Sequence, residues 1–383
     1  MSLKVADRGK VDPFIVMDVL RAANARAQEG GDVLHLEVGQ PGHGAPRTAR
    51  EAAKRAIDEE QLGYTDALGL PALRRRIARS YKTLHGVEVD PERVMVTNGS
   101  SAGFVVAFLT AFDAGDRVAL AAPGYPAYRN ILSALGLEPV WLQTDLESRF
   151  QPTPDLLDQV DGDLDGLILA SPSNPTGTMV DEAGMRDLVE ACDARGIRLI
   201  SDEIYHRIEF QGRGVSALEV TDDAILVNSF SKYYAMTGWR VGWLVLPPEM
   251  VRAAECVGQN LFISAPAPSQ YAALGAMDAG DELEAVVQAY RRNRDVLLSE
   301  LPKAGIDRFA PADGAFYIYA DVGHLTEDSQ AFCKRMLHET GVAATPGVDF
   351  DPFRGQRFVR FSFAGREDEV AEAARRLRRW LKG

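Results

Sequence analysis

Cysteine is scarce in this chain of 383 residues: Cys192, Cys256 and Cys333 are the three present, far apart in sequence. Such spacing suits neither a disulfide framework nor a thiolate metal site, so isolated structural thiols and no metal are expected. No apolar run reaches the roughly eighteen residues that a membrane span requires. The opening Met1-Ser-Leu-Lys-Val-Ala-Asp-Arg8 lacks the apolar core of a signal peptide, which points to the cytoplasm. Positive charge is in short supply as well. The net charge of −13 argues against a nucleic-acid surface, which normally shows a basic patch or stripe. The one basic cluster, Arg375 to Lys382, follows an acidic stretch, Arg366 to Glu372. That order complements a helix dipole and reads as a solvated helix face. Internal repeats, low-complexity tracts and long linkers are also missing.

What is present is a globular composition, 46% hydrophobic and 25% charged, in a chain too long for one ordinary core; two domains are expected. Residues 11–29 read as a short arm feeding an amphipathic helix. Val33 to Val38 has the character of a strand and ends in Gly39-Gln-Pro-Gly-His-Gly-Ala-Pro46, a turn-rich loop where backbone can meet a ligand. From about residue 47 to 285, strand-like apolar runs alternate with helical patterns, the signature of an α/β sheet with helices on its faces. The clearest strands are Arg93–Thr97, Arg117–Ala121, Gly166–Ala170, Ile197–Ser201, Ala224–Val227 and Val241–Val245. A charged helix, Glu284 to Leu301, opens the final region.

In such sheets ligands gather beyond the carboxyl ends of the strands. After the first strand, Asn98-Gly-Ser-Ser-Ala-Gly103 opens a helix with small residues; this suits a phosphate as well as an ordinary N-cap. Tyr125 stands between prolines, either a stiff aromatic platform or a core aromatic. Ser171-Pro-Ser-Asn174-Pro-Thr-Gly177 holds two X-Pro bonds open to the cis form and presents Asn174. Ser201-Asp202-Glu-Ile-Tyr205 puts an acid at a strand end. The same pattern marks the magnesium-binding acid of P-loop ATPases, but the companion G-x-x-x-x-G-K-[ST] is absent. Ser229-Phe-Ser-Lys232 follows the next strand, and Arg240 lies eight residues beyond the lysine. Most lysines are solvated and only their stems pack, so Lys232 gains meaning from this company. Near the end, alternation in Arg357-Phe-Val-Arg360-Phe-Ser-Phe-Ala364 sets Arg360 and Ser362 opposite Val359, Phe361 and Phe363. An arginine there needs an anion, either a protein carboxylate or a ligand carboxylate gripped by its planar fork.

A Schiff base on Lys232, a phosphate on the Asn98–Ala102 turn and a ring against Tyr125 together describe pyridoxal 5'-phosphate. Asp202 suits its ring nitrogen, Asn174 and Tyr205 its phenolic oxygen, and Ser229 and Arg240 its phosphate. At this point the chain resembles the fold-type I pyridoxal-phosphate enzymes of the class I/II aminotransferase group, above all the branch of bacterial aspartate and alanine aminotransferases. The resemblance runs from Gly39 to Arg360, with its pieces in the family's order. It implies an α/β fold: a large three-layer α/β/α domain with a mostly parallel sheet at 47–285, and a smaller α+β domain from both chain ends, 1–46 with the arm and 286–383.

By the same resemblance, Lys232 is the cofactor lysine and proton carrier, and Asp202 and Tyr205 share the catalytic work. Tyr125 takes the stacking position, Gly99, Ser100 and Ser101 join Ser229 and Arg240 on the phosphate, and Arg360, the Gly39 backbone and Asn174 take the substrate's α-carboxylate. Gly63-Tyr64-Thr65 matches a loop that reaches the neighbouring subunit's phosphate, which implies a homodimer; Phe262 to Ser269 departs from the commoner Ser-Asn-Pro pattern there, and no role carries over from it. The implied activity is a two-stage amino transfer between an amino acid and a 2-oxo acid. A β-eliminating C–S lyase on the same fold is the alternative, and a non-catalytic cofactor-sensing regulator a more remote one. The arm residues Phe14, Ile15, Val16 and Met17 suggest an apolar lid, leaning the donor toward neutral or aromatic side chains.

Overall fold

The computed structural model describes residues 3–382. Twelve strands make three sheets. A two-residue β1 (Leu34–His35) comes first, then β2 (Val94–Thr97), β3 (Arg117–Ala122), β4 (Glu138–Gln143), β5 (Gly166–Ala170), β6 (Arg198–Asp202), β7 (Ile225–Ser229) and β8 (Gly242–Val245), and finally β9 (Tyr317–Asp321), β10 (Val342–Ala343), β11 (Thr345–Pro346) and β12 (Phe358–Ser362). Strands β2 to β8 form one seven-stranded sheet in the order β2-β8-β7-β6-β5-β3-β4. All its pairings are parallel except the two made by β8. β2, β7 and β8 are buried along their whole length, as expected of strands with helices on both faces, and this is why they read as continuous apolar runs. Alternate residues feed two cores: Ile168, Ile200, Val227 and Leu244 on one face, Leu167, Leu199, Leu226 and Val245 on the other.

β9, β10 and β11 of the smaller sheets are absent from the sequence reading; within the large sheet the absent strand is β4, an edge strand with its Trp141 and Val140 half-buried. Its Glu138-Pro139 start breaks the apolar pattern, and proline is tolerated there because an edge strand leaves one side of its backbone unpaired. The expected strand Val33–Val38 shrinks to β1, which pairs in parallel with β10. Beyond it the chain is diverted: the Glu37 carbonyl accepts from Thr345 Oγ1 and from Arg360 rather than continuing a ladder.

The third sheet is antiparallel, with β12 between β11 and β9, so that Arg360 pairs with Thr345 on one side and Tyr319 on the other. Helix Gly280–Lys303 packs against the C-terminal helix Glu367–Lys382. That last helix opens on Glu367, Asp368 and Glu369 and closes on Arg379 and Lys382; Arg376 pairs with both Glu372 and Asp32. The arm helix, Ile15–Gln28, lies against β11 and β10. Among the described residues no helix is long and apolar enough to cross a membrane, and no cluster of His, Cys, Asp and Glu is arranged to hold a metal. Cys192 and Cys333 are buried free thiols.

Candidate active site

The parallel strands end at one edge of the large sheet, and antiparallel β8 starts from it. The segments after β2, β3, β5, β6 and β7, and Arg240 ahead of β8, therefore converge on one cavity of about 190 Å³. Ser100, Ser101, Tyr125, Asn174, Asp202, Tyr205, Lys232 and Arg240 line it from the large sheet; Gly39, Tyr317 and Arg360 close it from the opposite side. The Ser171-Pro172 and Asn174-Pro175 bonds are both cis.

Lys232 Nζ donates to the Gly39 carbonyl at 2.6 Å. Its pKa is lowered to about 8, first by burial, which disfavours the ammonium, and then by the positive Arg360 and Arg240; Asp202 opposes them. Burial also pushes the Asp202 carboxyl up to about 6, against the Tyr128 hydroxyl that donates to its Oδ2, the Ile204 amide at 3.0 Å from its Oδ1, and Lys232. The Tyr205 and Tyr317 hydroxyls lie 2.6 Å apart, and burial raises the pKa of both. A side chain at Gly39 would collide with the Tyr317 hydroxyl, so the backbone approaches there only as glycine.

Arg360 is buried between two rings, its guanidinium carbon 4.4 Å from the Tyr317 centroid and 4.7 Å from that of Phe350. One terminal nitrogen donates to Asn174 Oδ1 at 2.9 Å, the other to the Glu37 carbonyl and, at 3.3 Å, to Thr345 Oγ1. Its Nε has no partner among the described residues. At the far end of the cavity Gly99 opens the helix Gly99–Ala111 at φ +79°, and a Cβ there would run into the Arg240 guanidinium. Arg240 donates to the Thr237 carbonyl at 2.9 Å and itself adopts φ +51°. Left-handed backbone in a residue with a Cβ is strained, and such strain collects at functional sites.

The chain matches the family model for aminotransferase class I and II over residues 31–377. The class I and II aminotransferases are its family. A valine–pyruvate aminotransferase of Mycobacterium tuberculosis is 50% identical, covering 100% of this chain and 99% of that protein. A crystal structure of an aminotransferase from Mycobacterium tuberculosis superposes with a TM-score of 0.98 at 50% identity, covering 100% of both chains. The Thermus thermophilus aspartate aminotransferase with maleate superposes at 0.92 and 30% identity, covering 99% of this chain and 100% of that one.

This aminotransferase is thus a pyridoxal-phosphate-dependent enzyme that moves amino groups between amino acids and 2-oxo acids. The residues present fit that cofactor: an amine of lowered pKa, a buried carboxylate across the cavity from it, and a helix start cleared of side chain beside an arginine. Not every expected residue of the aminotransferase faces the cavity. Ser229 is buried, its hydroxyl 3.1 Å from the Val241 carbonyl and 2.9 Å from Ser231 Oγ, and of this pair it is Ser231 that lines the cavity. Gly99 stands one residue behind the lining, and Tyr64 is 84% exposed on the surface of this chain. Of the arm, Phe14, Val16 and Met17 line the cavity and Ile15 does not. Sequence reasoning missed Tyr128, Tyr317, Ser231 and Thr237. Tyr128 lies three residues after Tyr125, which stands just ahead of the helix Pro126–Leu135, and that closeness was the available signal.

Proposed function

We propose that this aminotransferase takes a neutral, aliphatic amino acid as donor and pyruvate as acceptor. One observation carries the reading: the cations on the cavity wall, among the described residues, are Lys232, Arg240 and Arg360, and each has a task other than a side-chain carboxylate. The apolar part of the wall contributed by the arm is Phe14, Val16 and Met17, and the substrate side chain is assigned to it. The name of the 50% identical relative, a valine–pyruvate aminotransferase, supports the same reading.

Pyridoxal phosphate, when bound, supplies an aldehyde that takes the amino group and a ring that withdraws electrons. Lys232 would be the amine that holds the aldehyde, and its free amine would carry the proton at the donor's Cα; a pKa of about 8 in the cofactor-free chain leaves part of that amine neutral at pH 7. Asp202, oriented by Tyr128, would keep the ring nitrogen protonated. Tyr205 and the Asn174 Nδ2 would donate to the phenolic oxygen; Asn174 Oδ1 is already committed to Arg360. Tyr125 would be the aromatic partner of the ring. The Gly99–Ser101 helix start, Arg240 and Ser231 would hold the phosphate, with Ser229 supporting Ser231. Arg360 takes the α-carboxylate with the Gly39 backbone.

The working unit is a homodimer in the cytoplasm, with Tyr64 reaching the partner's phosphate; its high exposure, with that of Leu261, Phe262 and Ile263, supports a surface meant to be covered. The pairing of β1 with β10 supports a small domain built from both chain ends, divided from the large one near residues 46 and 286. A panel of valine, alanine, phenylalanine and aspartate, each with pyruvate and with 2-oxoglutarate, tests the substrate reading. Valine with pyruvate is expected to be among the fastest pairs; exclusive use of aspartate would overturn it.

A further inference from the structure

The arm helix Ile15–Gln28 has no cap of its own, because Phe14 at the capping position offers no side-chain acceptor. Its first amides are served from the other end of the chain. Asp349, fully buried, accepts from the Ile15 amide on one carboxylate oxygen and from the Val16 amide on the other, each at 3.1 Å. Burial raises the Asp349 pKa, and those two amides with the Arg360 and Arg129 guanidinium groups hold it down, so the carboxylate's charge depends on these contacts.

The turn that carries Asp349 also meets the other walls of the cavity. The Asp349 carbonyl accepts from Arg129 at 2.9 Å, and the Phe350 carbonyl accepts from the Gly124 amide at 3.0 Å, next to Tyr125. The Phe350 ring lies against the Arg360 guanidinium. Phe14, the residue just before the anchored amides, meets Tyr125 edge-on with ring centroids 5.7 Å apart. One turn thus sets the arm helix in register with both the Tyr125 loop and the carboxylate-binding arginine.

We propose that Asp349 is the positioning residue for donor selectivity: by capping the arm helix it holds Phe14, Val16 and Met17 where a branched apolar side chain is buried against them. This rests on the neutral-donor reading above and deepens it. A donor too short to reach that wall, such as alanine, gains nothing from it.

The test uses the holoenzyme in the amino-donor half-reaction, followed by cofactor absorbance, with valine and with alanine. Asp349→Ala is expected to raise the apparent Kd for valine about tenfold, the size of losing about one methylene's worth of contact in an apolar pocket, with the limiting rate and the alanine Kd within about twofold. Amide hydrogen exchange at Ile15 and Val16 speeds up in the same variant. With Phe14 and Val16 already changed to Ala, Asp349→Ala adds no further loss of selectivity. Asp349→Asn keeps one acceptor oxygen and gives an intermediate effect, readable if the alanine variant folds poorly. Equal weakening of both donors, or faster exchange at Ile15 and Val16 with selectivity unchanged, overturns the proposal. A wild-type enzyme that prefers aspartate sinks the donor reading alone; the exchange rates and the non-additivity, measured with the longest donor the enzyme accepts, still decide on Asp349.

Discussion

The floor of the cavity and its roof are built differently. Lys232, Asp202, Asn174 and Ser100 stand at the ends of strands or at a helix start locked to them, and β7 and β8 beneath are buried along their whole length. Phe14, Val16 and Met17 sit on the first turn of one arm helix or just before it; Met17 is half exposed, and a single distant carboxylate caps the helix. The floor holds charge where solvent is scarce, and there Lys232 and Asp202 each act on the other's pKa. The roof holds no charge and contributes only shape. The reaction therefore belongs to side chains set on the ends of buried strands, and the choice of substrate to a helix turn anchored by one carboxylate.

If that contrast holds, floor variants lose activity with every donor alike, while roof variants separate one donor from another. The largest effect is expected from Lys232→Ala, which removes both the aldehyde-holding amine and the proton carrier: a fall of at least ~10⁴-fold in turnover for all donors, seen in single-turnover absorbance. Retention of wild-type turnover would break the assignment. Next comes Asp202→Asn, which keeps the shape but loses the charge opposite the ring nitrogen: on the order of 10²-fold to 10³-fold in kcat, again donor-independent, with weaker cofactor retention on gel filtration. A loss confined to one donor would move Asp202 out of the floor.

Phe14→Ala is a roof change, and its expected cost is about tenfold in kcat/KM for valine with alanine nearly unaffected; equal losses for both donors would erase the contrast. The smallest effect is a titration. In the cofactor-free protein, acylation of Lys232 speeds up as pH rises through about 8, where the neutral amine takes over, rather than near the ordinary lysine value of 10.5. Arg360→Ala removes a neighbouring positive charge that disfavours the ammonium, so the midpoint moves up. Phe14→Ala leaves it in place, since the roof carries no charge to the lysine.

The floor was legible in the sequence for the same reason that it is rigid. Strands covered on both faces read as apolar runs, and the polar residue that follows each run, Asn174, Asp202 or Lys232, stands out against them. β4 escaped notice because its Glu138-Pro139 start and exposed Gln143 break the apolar run. Tyr128 and Tyr317 were hidden by their rings: within apolar segments they look like core aromatics, and their hydroxyls acquire meaning only when Asp202 and Tyr205 arrive from elsewhere. Ser229 and Ser231, two residues apart, could not be told apart until the exit from β7 turned one of them inward. Asp349 was the least legible of all, since its partners Ile15 and Val16 lie more than three hundred residues away.

Arg360 carries one consequence beyond recognition. Its Nε is buried without a partner among the described residues, and a buried N–H left without an acceptor costs about 1–3 kcal/mol. Carboxylates that bind the folded guanidinium also stabilise the fold, by about 2.7 kcal/mol at a hundredfold excess over their Kd. Small carboxylic acids with no amino group to transfer should raise the melting temperature of this protein, and the shift should vanish in Arg360→Ala. The enzyme's resistance to heat then becomes a measure of how much substrate surrounds it.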